Sequence, residues 1–92
     1  MSVTVRIPTQ LRPLANGSPE IALQSGKLSA VLGELSGVYP ELKSRIFDDE
    51  GKLRRFINVF VSDEDVRFLD GLETEVADQS VVSIVPAVAG GI

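Results

Sequence analysis

The stretch Ser25-Gly26-Lys27-Leu28-Ser29-Ala30-Val31-Leu32-Gly33-Glu34-Leu35-Ser36-Gly37-Val38-Tyr39-Pro40 decides the fold class. Leu28, Val31, Leu32, Leu35, Val38 and Tyr39 recur at i, i+3, i+4 and i+7, the spacing of one helix face. Ser25 is placed to act as N-cap, and Pro40 cannot continue the backbone ladder, so the helix is bounded at both ends. Gly33 and Gly37 each weaken it by roughly 1 kcal/mol relative to alanine. They also suit a helix that lies close against a sheet. One substantial helix covers one face of a sheet and not two, so the economical fold is a two-layer α+β sandwich.

Towards the N-terminus, Val3, Val5 and Ile7 alternate with Thr4 and Arg6, which reads as a half-buried strand ended by Pro8. A loop through Pro13 to Asn16-Gly17-Ser18-Pro19 follows, since Asn-Gly is a strong turn signal. Leu11 and Leu14 in that loop read as lids on a core edge or as part of a docking patch. Ile21 and Leu23 alternate again, giving a second strand able to pair with the first.

Towards the C-terminus, a short helical turn through Leu42 and Ile46 is expected after Pro40. Asp48-Asp49-Glu50-Gly51 reads as a solvated turn, because the alternating ligands and closing glutamate of a calcium loop are missing. Residues 55–61 form the strongest strand, with Ile57, Val59 and Val61 on one face and Phe56, Asn58 and Phe60 on the other. Either that second face is covered by the chain, or Phe56 and Phe60 form an exposed patch that meets a partner. Ser62-Asp63-Glu64-Asp65 reads as a hairpin connection into a further strand through Val66 and Phe68. Leu69, Leu72 and Val76 suit a short turn or helix under the sheet. Val82 and Ile84 make a last strand running to Val85, where Pro86, lacking an N–H, ends regular pairing.

Composition removes several functions. The 92 residues contain no cysteine and no histidine. Disulfides, thiolate catalysis and Cys-ligated zinc are excluded, along with the usual general base near neutral pH and the commonest metal ligand. A net charge of −4 argues against general nucleic-acid binding. No signal peptide and no apolar run of membrane-spanning length is seen, so a cytoplasmic protein is expected. Seven acids lie between Asp63 and Asp78 against Arg67 alone, while Lys52, Arg54 and Arg55 form a small basic cluster. This reads as ordinary solvated surface or as an acidic face that steers a basic partner.

The last eight residues, Val85-Pro86-Ala87-Val88-Ala89-Gly90-Gly91-Ile92, do not suit burial in the chain's own core. Six extended residues reach roughly 20 Å, enough to enter a cleft in another protein. Two glycines, having no Cβ, let a partner close tightly around them. The expected organisation is a domain over residues 1–86 and a flexible tail over 87–92.

Three blocks then carry a resemblance: Gly51-Lys52-Leu53-Arg54-Arg55-Phe56-Ile57-Asn58-Val59-Phe60-Val61, Asp63-Glu64-Asp65-Val66-Arg67-Phe68, and Pro86-Ala87-Val88-Ala89-Gly90-Gly91. With the order strand, strand, helix, strand, strand, short helical segment, strand, the chain resembles the ubiquitin-like sulfur carriers of the MoaD/ThiS family, most of all those of cysteine biosynthesis. The resemblance implies a β-grasp fold, a mixed sheet of about five strands on one main helix. It implies a protein that is a substrate and not a catalyst, with no bound cofactor and no metal. An E1-like enzyme would use ATP to adenylate the Gly91 carboxylate, because AMP is a good leaving group and a carboxylate oxygen is not. A sulfur donor would displace AMP and leave a thiocarboxylate, whose anionic sulfur is nucleophilic at neutral pH. An accepting enzyme, cysteine synthase-like by resemblance, would take the sulfur. Molybdopterin, thiamine thiazole and thiosugar formation use the same chemistry. Val85, Pro86, Ala87, Val88, Ala89 and Gly90 would guide the tail, and Phe56, Phe60, Arg54 and Arg55 are candidate partner contacts.

The family pattern ends in a free Gly-Gly, and here Ile92 follows. The expectation is that a protease, with a metalloprotease as the candidate, removes Ile92 before activation. Two other protein-binding functions fit the residues: a ubiquitin-like docking module with an inert tail, and a modifier joined to lysines through Gly91. A small enzyme using carboxylates such as Asp63 with Asp65, or Glu73 with Glu75, has no recognisable partner groups.

Overall fold

The computed structural model describes residues 2–86; Met1, the six residues 87–92 and the expectation of a flexible tail there lie outside the described residues. Strand β1 (Ser2–Arg6) pairs antiparallel with β2 (Glu20–Gln24), Val3 opposite Leu23 and Val5 opposite Ile21. β3 (Gly26–Lys27) leads into helix α1 (Leu28–Val38) and then α2 (Pro40–Ile46). β4 (Ile57–Val61) turns into β5 (Glu64–Asp65), β6 (Glu75–Val76) pairs with β3, and β7 (Val81–Pro86) ends the described chain. The main sheet runs β2-β1-β7-β4-β5, with β7 parallel to β1 and antiparallel to β4. The mixed five-stranded sheet under a principal helix is the β-grasp arrangement.

Alternation drives the layering. Val3, Val5, Ile57, Val59, Val82 and Ile84 are buried on one face of the sheet, against Leu28, Val31, Leu32 and Leu35 of α1. Leu42 and Ile46 of α2 close the same core. A fully buried aliphatic side chain stabilises by roughly 1.5–3 kcal/mol relative to exposure, so this face dominates the fold's stability. The opposite sheet face carries Thr4, Arg6, Asn58, Phe60, Ser83 and Val85, none of them fully buried.

Several local expectations are corrected. Ser25 is not the N-cap: residues 26 and 27 are extended in β3, Lys27 occupies the cap without a side-chain bond, and Leu28 N–H donates to the Thr74 carbonyl at 2.8 Å. The carbonyl from the neighbouring segment satisfies the orphan donor instead. Val38 is 50% exposed, because α1 ends there. A Cβ at Gly33 or Gly37 would meet nothing within 4 Å, so neither glycine serves a close approach to the sheet. The loop after Pro8 is a 3-10 helix (Thr9–Ala15) that accommodates Pro13 and ends at Asn16 in the left-handed region. It buries Leu11 and half-buries Leu14 against the core, as lids do. Val66 and Phe68 do not extend β5: they form a 3-10 turn (Val66–Phe68), followed by another (Gly71–Glu73), and Val76 lies in β6.

Asp48 confirms the solvated turn, its Oδ1 accepting N–H bonds from Glu50 at 2.8 Å and Lys52 at 3.0 Å. The Lys52 bond, and then that of Glu50, holds its carboxyl below the usual aspartate range. Among the described residues no group of three His, Cys, Asp or Glu side chains could hold a metal ion.

Gly33 sits in an exposed helix interior with open space around it. Gly33→Ala is therefore expected to stabilise the protein by about 0.5–1 kcal/mol in denaturant unfolding. An unchanged or lower stability would show that the glycine has a packing role.

Candidate functional site

The site is built at the end of the described part of β7, next to the Gly-Gly segment in sequence. Val82 and Ser83 lie between β1 and β4, Val81 is paired with β1 alone, and Ile84, Val85 and Pro86 are paired with β4 alone. Pro86 therefore does not stop the strand as expected. It stands opposite Ile57 in the last described pair of the ladder. A strand flanked on one side only tolerates the missing N–H, because no ladder exists on the other side for it to break. The chain is thus held extended up to Pro86, and the register fixes where it emerges.

That register also decides which residues surround the exit. Because β4 and β7 are antiparallel, Arg54, Arg55 and Phe56, which immediately precede Ile57, come to the end of the sheet where Pro86 lies. On the other side an open groove of about 390 Å³ runs along Val85 and Pro86, bordered by Arg6, Pro8, Gln10 and Arg12. Arg12 Nε donates to the Ile7 carbonyl at 3.0 Å, and Arg6 faces Glu20 at 3.6 Å with both side chains more than half exposed. The exit is therefore framed by four arginines. Glu20 pairs with Arg6 there, and Asp48 and Asp49 share a cleft with Arg54; the acid-rich Ser62-Asp63 turn sits beside Val81, at the other end of the same two strands, with Ser62 N–H donating to the Val81 carbonyl at 3.0 Å. Charge on this surface is separated along β4 and β7, basic at the exit and acidic at the opposite pole.

The candidate contact residues divide. Phe56 is 51% exposed and lines a cleft with Ser44, Arg45 and Arg54. Phe60 is half-buried on the outer sheet face, in one row with Ser83 and Arg6. The two phenylalanines belong to different surfaces and do not form one patch. Arg55 is exposed, whereas Arg54 is half-buried and its Nε donates to the Ser44 carbonyl at 2.6 Å. Its backbone N–H also donates to Ile46. Arg54 therefore fastens the end of α2 to the approach to β4. Of the tail itself, Val85 is 42% exposed on the outer face and Pro86 is half-buried. Ala87, Val88, Ala89, Gly90, Gly91 and Ile92 lie outside the described residues.

Arg67 was not singled out for this role from the sequence. Its guanidinium donates to Asn58 Oδ1 at 2.6 Å and to the carbonyls of Arg55 at 3.1 Å and Ile57 at 3.0 Å. It thereby positions the backbone on which Phe56 is carried. The signal was present: it is the lone base in a run of seven acids, and a lone opposite charge there is more than solvation.

Comparison with known proteins bears on the family and the fold. The profile of the ThiS family matches residues 5–91, a span that includes the tail through both glycines. The sulfur carrier protein CysO of Mycobacterium tuberculosis is 47% identical over 93 residues, covering 99% of this chain and 100% of that protein. In the crystal structure of an Amycolatopsis orientalis BexX/CysO complex, a chain superposes with a TM-score of 0.89 at 44% identity, covering 97% of this chain and 99% of that one. SAMP1 from Haloferax volcanii superposes with a TM-score of 0.84 at 28% identity, covering 99% of this chain and 100% of that one.

The two neighbouring arginines are expected to separate in thermal unfolding. Arg54→Ala should cost about 1 kcal/mol through its lost bond and buried stem, while Arg55→Ala should stay within about 0.5 kcal/mol of the parent. Equal effects would mean that the bond to Ser44 does not hold α2.

Proposed function

The chain belongs to the ThiS family, and on that premise we propose that it is a sulfur carrier charged at Gly91 by an ATP-consuming activating enzyme. The observation that carries this reading is the last described pair of the sheet, Pro86 opposite Ile57. It leaves five residues from Ala87 to Gly91, a reach of roughly 17 Å when extended. Small side chains and two glycines let that segment pass through a narrow channel to a reacting centre.

The chemistry asks little of the carrier. A Gly91 carboxylate oxygen attacks the α-phosphorus of ATP in the partner's site, pyrophosphate leaves, and an acyl-adenylate forms. A sulfur nucleophile adds to the acyl carbon and AMP departs. Where the nucleophile is hydrosulfide, loss of its proton leaves the thiocarboxylate; where it is a donor protein's persulfide, a thiol reduces the acyl disulfide so formed, the S–S bond breaking as a new disulfide forms on the donor side. The thiocarboxylate then attacks the electrophile of an accepting enzyme. Every step takes place on the Gly91 carboxyl group, so no acid, base or thiol of this chain takes part. By resemblance, the accepting enzyme is cysteine synthase-like. The arginines exposed at this end, Arg6 and Arg55, would orient the carrier on an acidic mouth, since surface charges steer encounter over a distance of about a Debye length.

This chemistry requires a free carboxylate on Gly91, and Ile92 occupies it in an amide. Hydrolysis of the Gly91–Ile92 bond is therefore the first step of the proposal. A second reading rests on the similarity to SAMP1: a lysine amine in place of sulfur would attack the same adenylate and give an isopeptide bond, making the protein a modifier.

One experiment separates these readings. Protein ending at Gly91 and protein ending at Ile92 are each incubated with the host's activating enzyme, ATP and a sulfur donor, then weighed intact. The proposal expects a sulfur-for-oxygen mass gain in the first and none in the second. Equal conversion of both would overturn the processing step. Conjugates to lysine with no sulfur gain would replace the carrier by the modifier, and no reaction in either would overturn both.

A further inference from the structure

Four phenylalanines and one tyrosine are the chain's aromatic residues, and one of them is spent in an unusual way. Phe68 is 86% exposed. Burying a phenylalanine is worth roughly 1.5–3 kcal/mol, so its position in water forgoes a stabilisation the small core would otherwise have. The side chain is also not on a loose loop. Val66, two residues before it, is fully buried. Asp65 Oδ1 accepts the Arg67 N–H at 2.8 Å, the Arg67 guanidinium is fixed to β4, and Leu69 N–H donates to the Val66 carbonyl at 2.9 Å. Both neighbours of Phe68 are therefore pinned while Phe68 itself points outward.

Beside it lies an open groove of about 640 Å³, whose apolar wall is Phe68, Leu69 (38% exposed) and Ala77. Every charged residue lining it is acidic: Glu64, Asp70 and Glu75. Its floor is ordered by Thr74, whose Oγ1 accepts the Asp70 N–H at 3.1 Å. Nearby, the Lys27 ammonium is engaged by Glu73 at 2.9 Å, a bond that holds it above the usual lysine range and so charged. It therefore adds no vacant positive group to the groove. The groove lies at the pole opposite the tail exit.

We propose that this groove is a second docking site, which takes a basic segment of a partner protein with an apolar side chain seated against Phe68. A pre-ordered aromatic needs little ordering on binding, which is how an anchor contributes most of an interface's affinity. The three acids select arginine or lysine on either side of the apolar contact and reject acidic segments. Because the site and the tail exit are at opposite ends of β4 and β7, a partner held at Phe68 leaves the tail accessible to a different enzyme. The site does not depend on sulfur chemistry, so it stands or falls separately from the carrier reading.

The test is a titration followed by amide NMR, using a short synthetic peptide in which arginine alternates with leucine. The expected result is a set of shifts confined to Glu64, Phe68, Leu69, Asp70, Glu75 and Ala77. Phe68→Ser, at an exposed position, should keep the native spectrum and unfolding temperature yet weaken binding by about tenfold or more. A peptide with serine in place of leucine should bind weaker by a similar factor, and Asp70→Asn with Glu64→Gln should flatten the salt dependence. A chain lacking Gly90, Gly91 and Ile92 should bind as tightly as the full chain. Shifts centred on the tail exit or the outer sheet face would overturn the proposal, as would binding indifferent to Phe68→Ser or to the loss of leucine.

Discussion

The arrangement depends on the last strand lying in the middle of the sheet. β7 is parallel to β1 on one side and antiparallel to β4 on the other, and Val82 and Ile84 are buried by that placement. A one-residue slip would turn both into water and Val81, Ser83 and Val85 into the core. The register is therefore specified by burial, and with it the place of Pro86, from which the Gly-Gly segment continues in sequence. A tail attached to an edge strand would have no such fixed origin. Here the exit is set by core packing, and the groups on either side of it are brought there by the same two ladders.

Function in this reading is divided between a body that is recognised and a tail that reacts. The body has no cysteine or histidine, which would be a deficit in an enzyme and is none in a substrate. Its charge is organised instead, with Arg6, Arg12, Arg54 and Arg55 about the exit and Asp63, Glu64, Asp70 and Glu75 at the other pole. Pairs of surface charges contribute little to stability, typically under about 1 kcal/mol. Their separation acts through encounter and orientation, and so through choice of partner.

The sequence made the layers legible because their signals are periodic and long. The period-two strands around Val3, Ile57 and Val82 and the helix face of Leu28, Val31, Leu32 and Leu35 all take the places their spacing predicts. The failures lie where an element is too short to have a period. The β3–β6 ladder has two residues a side, and it displaced Ser25 from the cap by drawing residues 26 and 27 into an extended segment. Val66 and Phe68 satisfied a strand's alternation, but in a 3-10 turn of about three residues per turn, side chains two apart point in different directions. One is buried and the other is in water. Of the candidate site, Val85 shares the outer sheet face with Phe60, Arg55 and Phe56 come to the same end of the sheet as Pro86 with Phe56 on another surface beside Ser44 and Arg45, and Arg54 is bonded to the Ser44 carbonyl. The clamp by Arg67 needed three-dimensional contacts with Asn58, Arg55 and Ile57 that no local pattern encodes.

The central claim is that Gly91 is the reacting terminus of a carrier whose body only presents it. The most direct measurement is the intact mass of the protein isolated from its own host. The account predicts a species lighter by one isoleucine and heavier by a sulfur-for-oxygen exchange. Finding only full-length protein, with Ile92 retained and no sulfur gained under conditions that demand sulfur transfer, would contradict it.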